Sequence, residues 1–389
     1  MAQRYPALAL LLTVITTGCG SEPAPHPASP GELVEFVDLL PPRPGNPRNT
    51  EGDFIQLADG RLLFAYTKFT GGGSDYAEAH IAARYSSDGG AAWTDEDVVI
   101  VPNEGLMNTM SVSLVRLQSG AIALFYLVKN DKTDLRPYVR FSSDEGETWS
   151  EPIVCIEDEG YFVLNNDRVV QLESGRLVMP VALHVPEGEE FNRRGIAMFY
   201  LSDDGGRTWR RGNEPLECPT PSPAGFQEPG VVELKDGRVM MFARTRMGSQ
   251  WVAYSSDGAE TWSQPEASAL ASPQSPATIE RLPWTGDLLA VWNDHSNVPA
   301  SYLAVDGNGD GSTGGLRTPL TAAISRDEGK TWEFKKNLHD DPEGWYCYTA
   351  MAFVGDHVLL GYVAGGEEGL ARLSRTRLAR IPWQALYRK

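Results

Sequence analysis

Residues able to do chemistry stand in six widely spaced groups along this chain of 389 residues. The first holds Arg48, Glu51 and Asp53, with Asp75 in the glycine-rich stretch TGGGSDYAEAH; the second holds Asn108, and Arg136 in KNDKTDLR. LNNDR (164–168) and His184 make the third, and FQEPG with Glu228, then Arg244 and Arg246, the fourth. WNDH (292–295) and Arg317 make the fifth, and WYCY, with Tyr346 and Tyr348, the sixth. Arginines in this number bind an anion through charge-assisted hydrogen bonds, and carboxylates beside them move protons. The set works only if folding gathers it in one place.

The elements between these groups repeat. FIQLADGRLLFAY, LVRLQSGAIALFY, VVQLESGRLVMPV, VVELKDGRVMMFA, IERLPWTGDLLAVW and MAFVGDHVLLGYV are each an apolar strand, a tight turn and a second apolar strand. After most of them come a loop of variable length and a third strand such as HIAARYS, PYVRFS or LTAAIS. A box S-x-D-x-G-x-T-W then follows, complete in SSDEGETW, SDDGGRTW and SRDEGKTW and blurred in SSDGGAAW and SSDGAETW. Four antiparallel strands recurring in this way predict an all-β chain, a six-bladed β-propeller.

Within each box, Ser and Asp can bond the turn between the third and fourth strands, Gly supplies a positive φ and Trp packs beneath it. The boxes are therefore structural. The sixth repeat has none, and ELVEFVDLL (32–40), stranded ahead of the first hairpin, is expected to close the ring. Topology then locates the chemistry. Boxes and short turns occupy one face of the ring, so the long polar 2–3 loops, and with them all six groups, belong to the other.

The balance of 34 basic against 52 acidic residues, a net charge of −18, argues against nucleic acid and anionic membranes as partners. Screening over about 8 Å still lets a local arginine cluster receive a small anion. The start of the chain, with Arg4, an apolar run from Ala7 to Ile15 and then Cys19, reads as an export signal over 1–19. TTGC resembles a bacterial lipobox, so a lipid on Cys19 is the expected route to a membrane. A flexible tether over 20–31 and one domain over 32–389 follow. Cys155, Cys218 and Cys347 have no metal-like spacing and read as buried small hydrophobes.

With boxes, hairpins and site face assembled, residues 32 to 388 resemble the sialidase superfamily. That resemblance implies an exported exo-glycosidase that releases a terminal α-ketosidic sialic acid, or a related acidic sugar, with retention and without cofactor or metal. It implies Asp75 as acid/base, Tyr348 as nucleophile and Glu228 as its base, with Arg48, Arg244 and Arg317 on the substrate carboxylate. A neutral Tyr avoids the repulsion that a carboxylate nucleophile would meet. Tyr346 competes with Tyr348 for the role. The family opens its first blade with Arg-Ile-Pro, whereas NPRNTEGDFIQL puts Thr50 in that register and leaves Arg48 two residues earlier. Asn165, Asn166 and Arg168, with Asn293, Asp294 and His295, have no counterpart; they are expected at further subsites, or they mark a different sugar. The alternatives are a hydrolase or lyase acting on another glycan, and a noncatalytic glycan-binding propeller.

Overall fold

The computed structural model describes residue 1 and residues 34–185, 191–219, 222–304 and 314–388. The expected export signal and tether, with Cys19, fall outside the described residues apart from Met1. The strands form four four-stranded antiparallel sheets and one nine-stranded sheet, in which a single parallel bridge between Tyr161 and Leu135 joins two blades, so that they group as six blades. Blade 1 runs Arg48–Gln56, Leu62–Phe69, Ala79–Ser86 and Val98–Val101; blade 2 runs Asn108–Arg116, Ile122–Lys129, Leu135–Ser142 and Ile153–Val154. In blade 3 the innermost strand is broken into Tyr161–Val163 and Val170–Gln171, followed by Leu177–His184, Gly195–Ser202 and Arg210–Arg211. Blade 4 runs Gln227–Glu233, Val239–Arg244, Ser249–Ser255 and Glu266–Ala271; blade 5 runs Thr278–Arg281, Leu288–Trp292, Leu320–Ser325 and Glu333–His339. Blade 6 takes Trp345–Val354, His357–Gly365 and Arg375–Pro382, and its outermost strand is Glu35–Leu40, antiparallel to Arg375–Pro382.

Second strands such as IALFYLVK are buried along their whole length, because blades pack against both of their faces. The box turns tie each blade to the one before. Ser142 Oγ donates to Asp144 Oδ1 (2.8 Å) and accepts from Gly146 N (2.8 Å), while Thr148 N donates to Asp144 Oδ1 (3.0 Å). The box glycines adopt φ near 84–90° and press against the preceding blade: Gly90 faces Leu359, Gly146 faces Leu63 and Gly206 faces Phe141. Blade 6 has no box for a topological reason. Its third and fourth strands come from opposite regions of the chain, so there is no turn to staple.

The innermost strands carry the feature that matters for function. Four of them shift register at a β-bulge, between Thr50 and Asp53, Met110 and Val112, Gln227 and Gly230, and Cys347 and Ala350. At each a non-glycine residue takes a positive φ: Glu51 47°, Ser111 59°, Glu228 48° and Tyr348 55°. Left-handed backbone costs such residues roughly 1–2 kcal/mol each, and bulges re-aim side chains where a regular strand cannot.

Candidate active site

All four bulge residues line a single cavity of about 510 Å³ on the face of the long 2–3 loops. Tyr348 is among them, and its hydroxyl donates to Glu228 Oε1 at 3.4 Å. Glu228 Oε1 also accepts an ion pair from Arg244 Nη2 at 3.0 Å. Arg317 lies beside Tyr348, its guanidinium carbon 5.3 Å from the ring centre and 5.1 Å from that of Trp345. Burial raises the Tyr348 phenol above its ordinary range; Glu228 pushes it further and Arg317 and Arg244 pull it back. The group is thus a neutral phenol within hydrogen-bonding reach of Glu228.

The arginines differ in what they have left to give. Arg244 Nε and Nη1 and Arg317 Nη1 are buried and find no hydrogen-bond partner among the described residues. Buried donors in that condition call for an acceptor, which an anion entering the cavity would supply. Arg48 is fully engaged: Nε donates to Thr50 Oγ1 (3.1 Å), Nη1 to Gly73 O (3.2 Å) and Asp75 Oδ1 (2.5 Å), and Nη2 to Glu51 Oε1 (2.9 Å). It stands behind the cavity wall, and Glu51 forms the wall in front of it.

Asp75 sits at the cavity mouth, its side chain 58% exposed. Desolvation there pushes its carboxyl up, but Arg48 and Lys129 outweigh this and hold it below the usual carboxylate range. Its loop is clamped from blade 2, where Lys129 Nζ (2.7 Å) and Asn108 Nδ2 (2.8 Å) both donate to the Asp75 carbonyl. Burial pushes the Lys129 ammonium down to about 8. Glu51, buried, is shifted the other way: desolvation raises it, Arg48 opposes and Asp75 adds to the rise.

The structure therefore gathers Asp75, Glu228, Arg244, Arg317 and Tyr348 around one space, with Arg48 immediately behind. Tyr346 points to the opposite side of its strand, where its ring stacks on His339 at 4.7 Å. Asn293 and His295 brace the Arg317 loop, through Asn293 Nδ2 to Pro319 O (3.0 Å) and a His295 Nε2 contact with Thr318 O (3.1 Å), while Asp294 pairs with Lys335 (2.8 Å). Asn165 and His184 line the cavity; Arg136 pairs with Asp134 (2.8 Å) outside it. Lys129, the first residue of KNDKTDLR, also lines it, as do Tyr161, Arg193 and Arg372, which lie outside the six groups.

Comparison with known proteins places the ring and its repeats. The family model for the BNR repeat-like domain matches residues 49–363. The chain is a BNR-repeat protein of the sialidase superfamily. It is 27% identical over 367 residues to a sialidase of Micromonospora viridifaciens and 28% identical over 218 residues to one of Bacteroides fragilis. Those alignments cover 84% and 55% of this BNR-repeat chain but only 52% and 36% of the relatives, so it spans about half the length of the first. Among solved structures, a Dyadobacter fermentans protein of unknown function superposes with a TM-score of 0.70 at 18% identity, covering 90% of this chain and 99% of that one. The leech intramolecular trans-sialidase superposes at 0.68 and 14% identity, covering 90% and 71%. Likeness at that identity speaks for the propeller fold alone.

Proposed function

We propose that this BNR-repeat propeller is an exported glycoside hydrolase of sialidase type, acting on a glycan that ends in an α-ketosidic acidic sugar. The observation that carries the reading is the Tyr348 hydroxyl directed at Glu228 Oε1, with unpartnered Arg244 and Arg317 donors around the same space. Tyr348 Oη attacks the anomeric carbon as its proton passes to Glu228. The glycosidic C–O bond breaks, its electron pair leaves with the aglycone oxygen, and that oxygen takes a proton from Asp75. Asp75 then deprotonates a water that attacks the same carbon, and Tyr348 departs with the proton held on Glu228. Two inversions at one carbon give retention. Arg244 and Arg317 grip the sugar carboxylate, each charge-assisted bond contributing roughly 1.5–3 kcal/mol.

The engaged state of Arg48 favours a second reading in which the group facing blade 1 is a hydroxyl rather than an anion. Glu51 would accept a hydrogen bond from it, and the substrate would be another glycan. One experiment decides between them: a panel of fluorogenic glycosides, sialoside included, with wild type and Tyr348→Phe. Turnover of the sialoside that collapses in the variant, with a fluorinated sialoside leaving its adduct on the Tyr348 peptide, supports the first reading. Turnover only of neutral glycosides supports the second. No turnover of any glycoside leaves a binding propeller.

A further inference from the structure

The LNNDR segment breaks the innermost strand of blade 3 and reaches across the channel. Asn166 is fully buried, and its single Nδ2 donates both to Gly52 O (2.9 Å) and to Tyr348 O (3.1 Å). Those carbonyls belong to two of the bulges, one following Glu51 and the other at Tyr348 itself. A bulge takes its residue out of the ladder, and a buried carbonyl left there needs a donor from elsewhere. Neighbouring residues continue the pattern: Asp167 Oδ2 accepts from Met351 N (3.0 Å), and Arg168 Nη2 donates to Ala277 O (2.8 Å). Thr278 Oγ1 in turn donates to Thr349 O (2.6 Å).

We propose that Asn166 is a positioning residue for the reaction, holding the Tyr348 bulge in the left-handed conformation that aims its hydroxyl at Glu228 and fixing the Glu51 bulge with the same amide. The proposal rests on the reading of Tyr348 as nucleophile. Asn166 touches no substrate; it acts through the backbone it bonds.

The test compares Asn166→Ala with Gln250→Ala, which deletes another fully buried amide, one that donates to Ser272 Oγ and Ser275 O (both 2.8 Å). Both variants are expected to melt below wild type. Asn166→Ala should also lower kcat about 10²-fold at nearly unchanged KM, the loss that an ångström of misplacement produces, and slow adduct formation on Tyr348 by the same factor. Gln250→Ala should keep the wild-type kcat. Asn166→Ser, which retains one donor, should fall between and replaces the alanine variant if that fails to fold. An unchanged kcat in Asn166→Ala, or equal losses in both alanine variants, would overturn the proposal. If wild type turns over no glycoside, the nucleophile reading has failed, and a crystal structure of the Asn166 variant decides instead. Tyr348 leaving positive φ would support the brace; an unmoved Tyr348 backbone would overturn it.

Discussion

Arg48 is one cation between two carboxylates, and the site's pH behaviour follows from it. Asp75 must be protonated to serve as an acid, yet Arg48 and Lys129 outweigh desolvation and keep it below its ordinary value. With a poor leaving group, kcat/KM should therefore rise as pH falls from neutral into the carboxylate range. An activated aryl glycoside, which needs little protonation, should show no such rise. Arg48→Met removes an opposite charge and should move that limb to higher pH by about one unit or more. Profiles with both substrates check this, and an unmoved limb would contradict it. That Asp75, Glu228, Arg244, Arg317 and Tyr348 gather around one cavity was legible because propeller topology assigns each to one face. The bracing bonds of Asn166 were not, since its partners lie 114 and 182 residues away, and for Arg48 the sequence shows that an arginine is near but not whether its donors are engaged.

Elements hold the site through two devices of unequal legibility. The boxes announce themselves, because Ser, Asp and Gly are each needed for a specific bond or dihedral. Gly90 has φ of 90° and its missing Cβ would lie 2.8 Å from Leu359 Cδ1, whereas Gly120 has the same φ with nothing within 4 Å. Gly120→Ala should thus cost the strain alone, roughly 1–2 kcal/mol. Gly90→Ala should add roughly 1–3 kcal/mol of overpacking against blade 6. Urea titration of both variants separates the terms, and equal losses would mean that the box glycines do not seat one blade on the next. The bulges give no such signal. Nothing in Thr-Glu-Gly, Gln-Glu-Pro or Cys-Tyr-Thr spells a left-handed residue, and tertiary partners alone make that conformation tolerable.

At the scale of the whole ring, the channel floor and the closure set stability. Asp53, Asp167 and Glu280 face one another there around Arg168, and burial raises all three carboxyls; repulsion from Asp167 adds to the rise of Asp53 and Glu280, while the hydrogen bond with Glu280 and the charge of Arg168 hold Asp167 back. A raised folded-state value means that their stabilising contribution is full below the ordinary carboxylate range and is lost as pH rises. Melting temperature should accordingly fall as pH rises above the ordinary carboxylate range of about 4, and Glu280→Gln should flatten the fall. A steeper fall in the variant would reverse the sign. Six repeats were readable in the hairpins, and the stranded apolar run ahead of them marked the strand that pairs with Arg375–Pro382. Leu40, 2% exposed on that strand, should cost roughly 2–5 kcal/mol when replaced by Ala, measured by urea unfolding; a change under 1 kcal/mol would mean the strand is dispensable. The pairing also joins Glu35 to Arg380, 345 residues apart. During synthesis, then, the earliest strand waits for almost the last, and until the final hairpin emerges the growing chain carries an open sheet edge at either side of an arc. Such edges invite pairing with other chains. A chain that stops short of residue 375 would remain a sticky crescent, so synthesis of Arg375–Pro382 is itself the folding checkpoint.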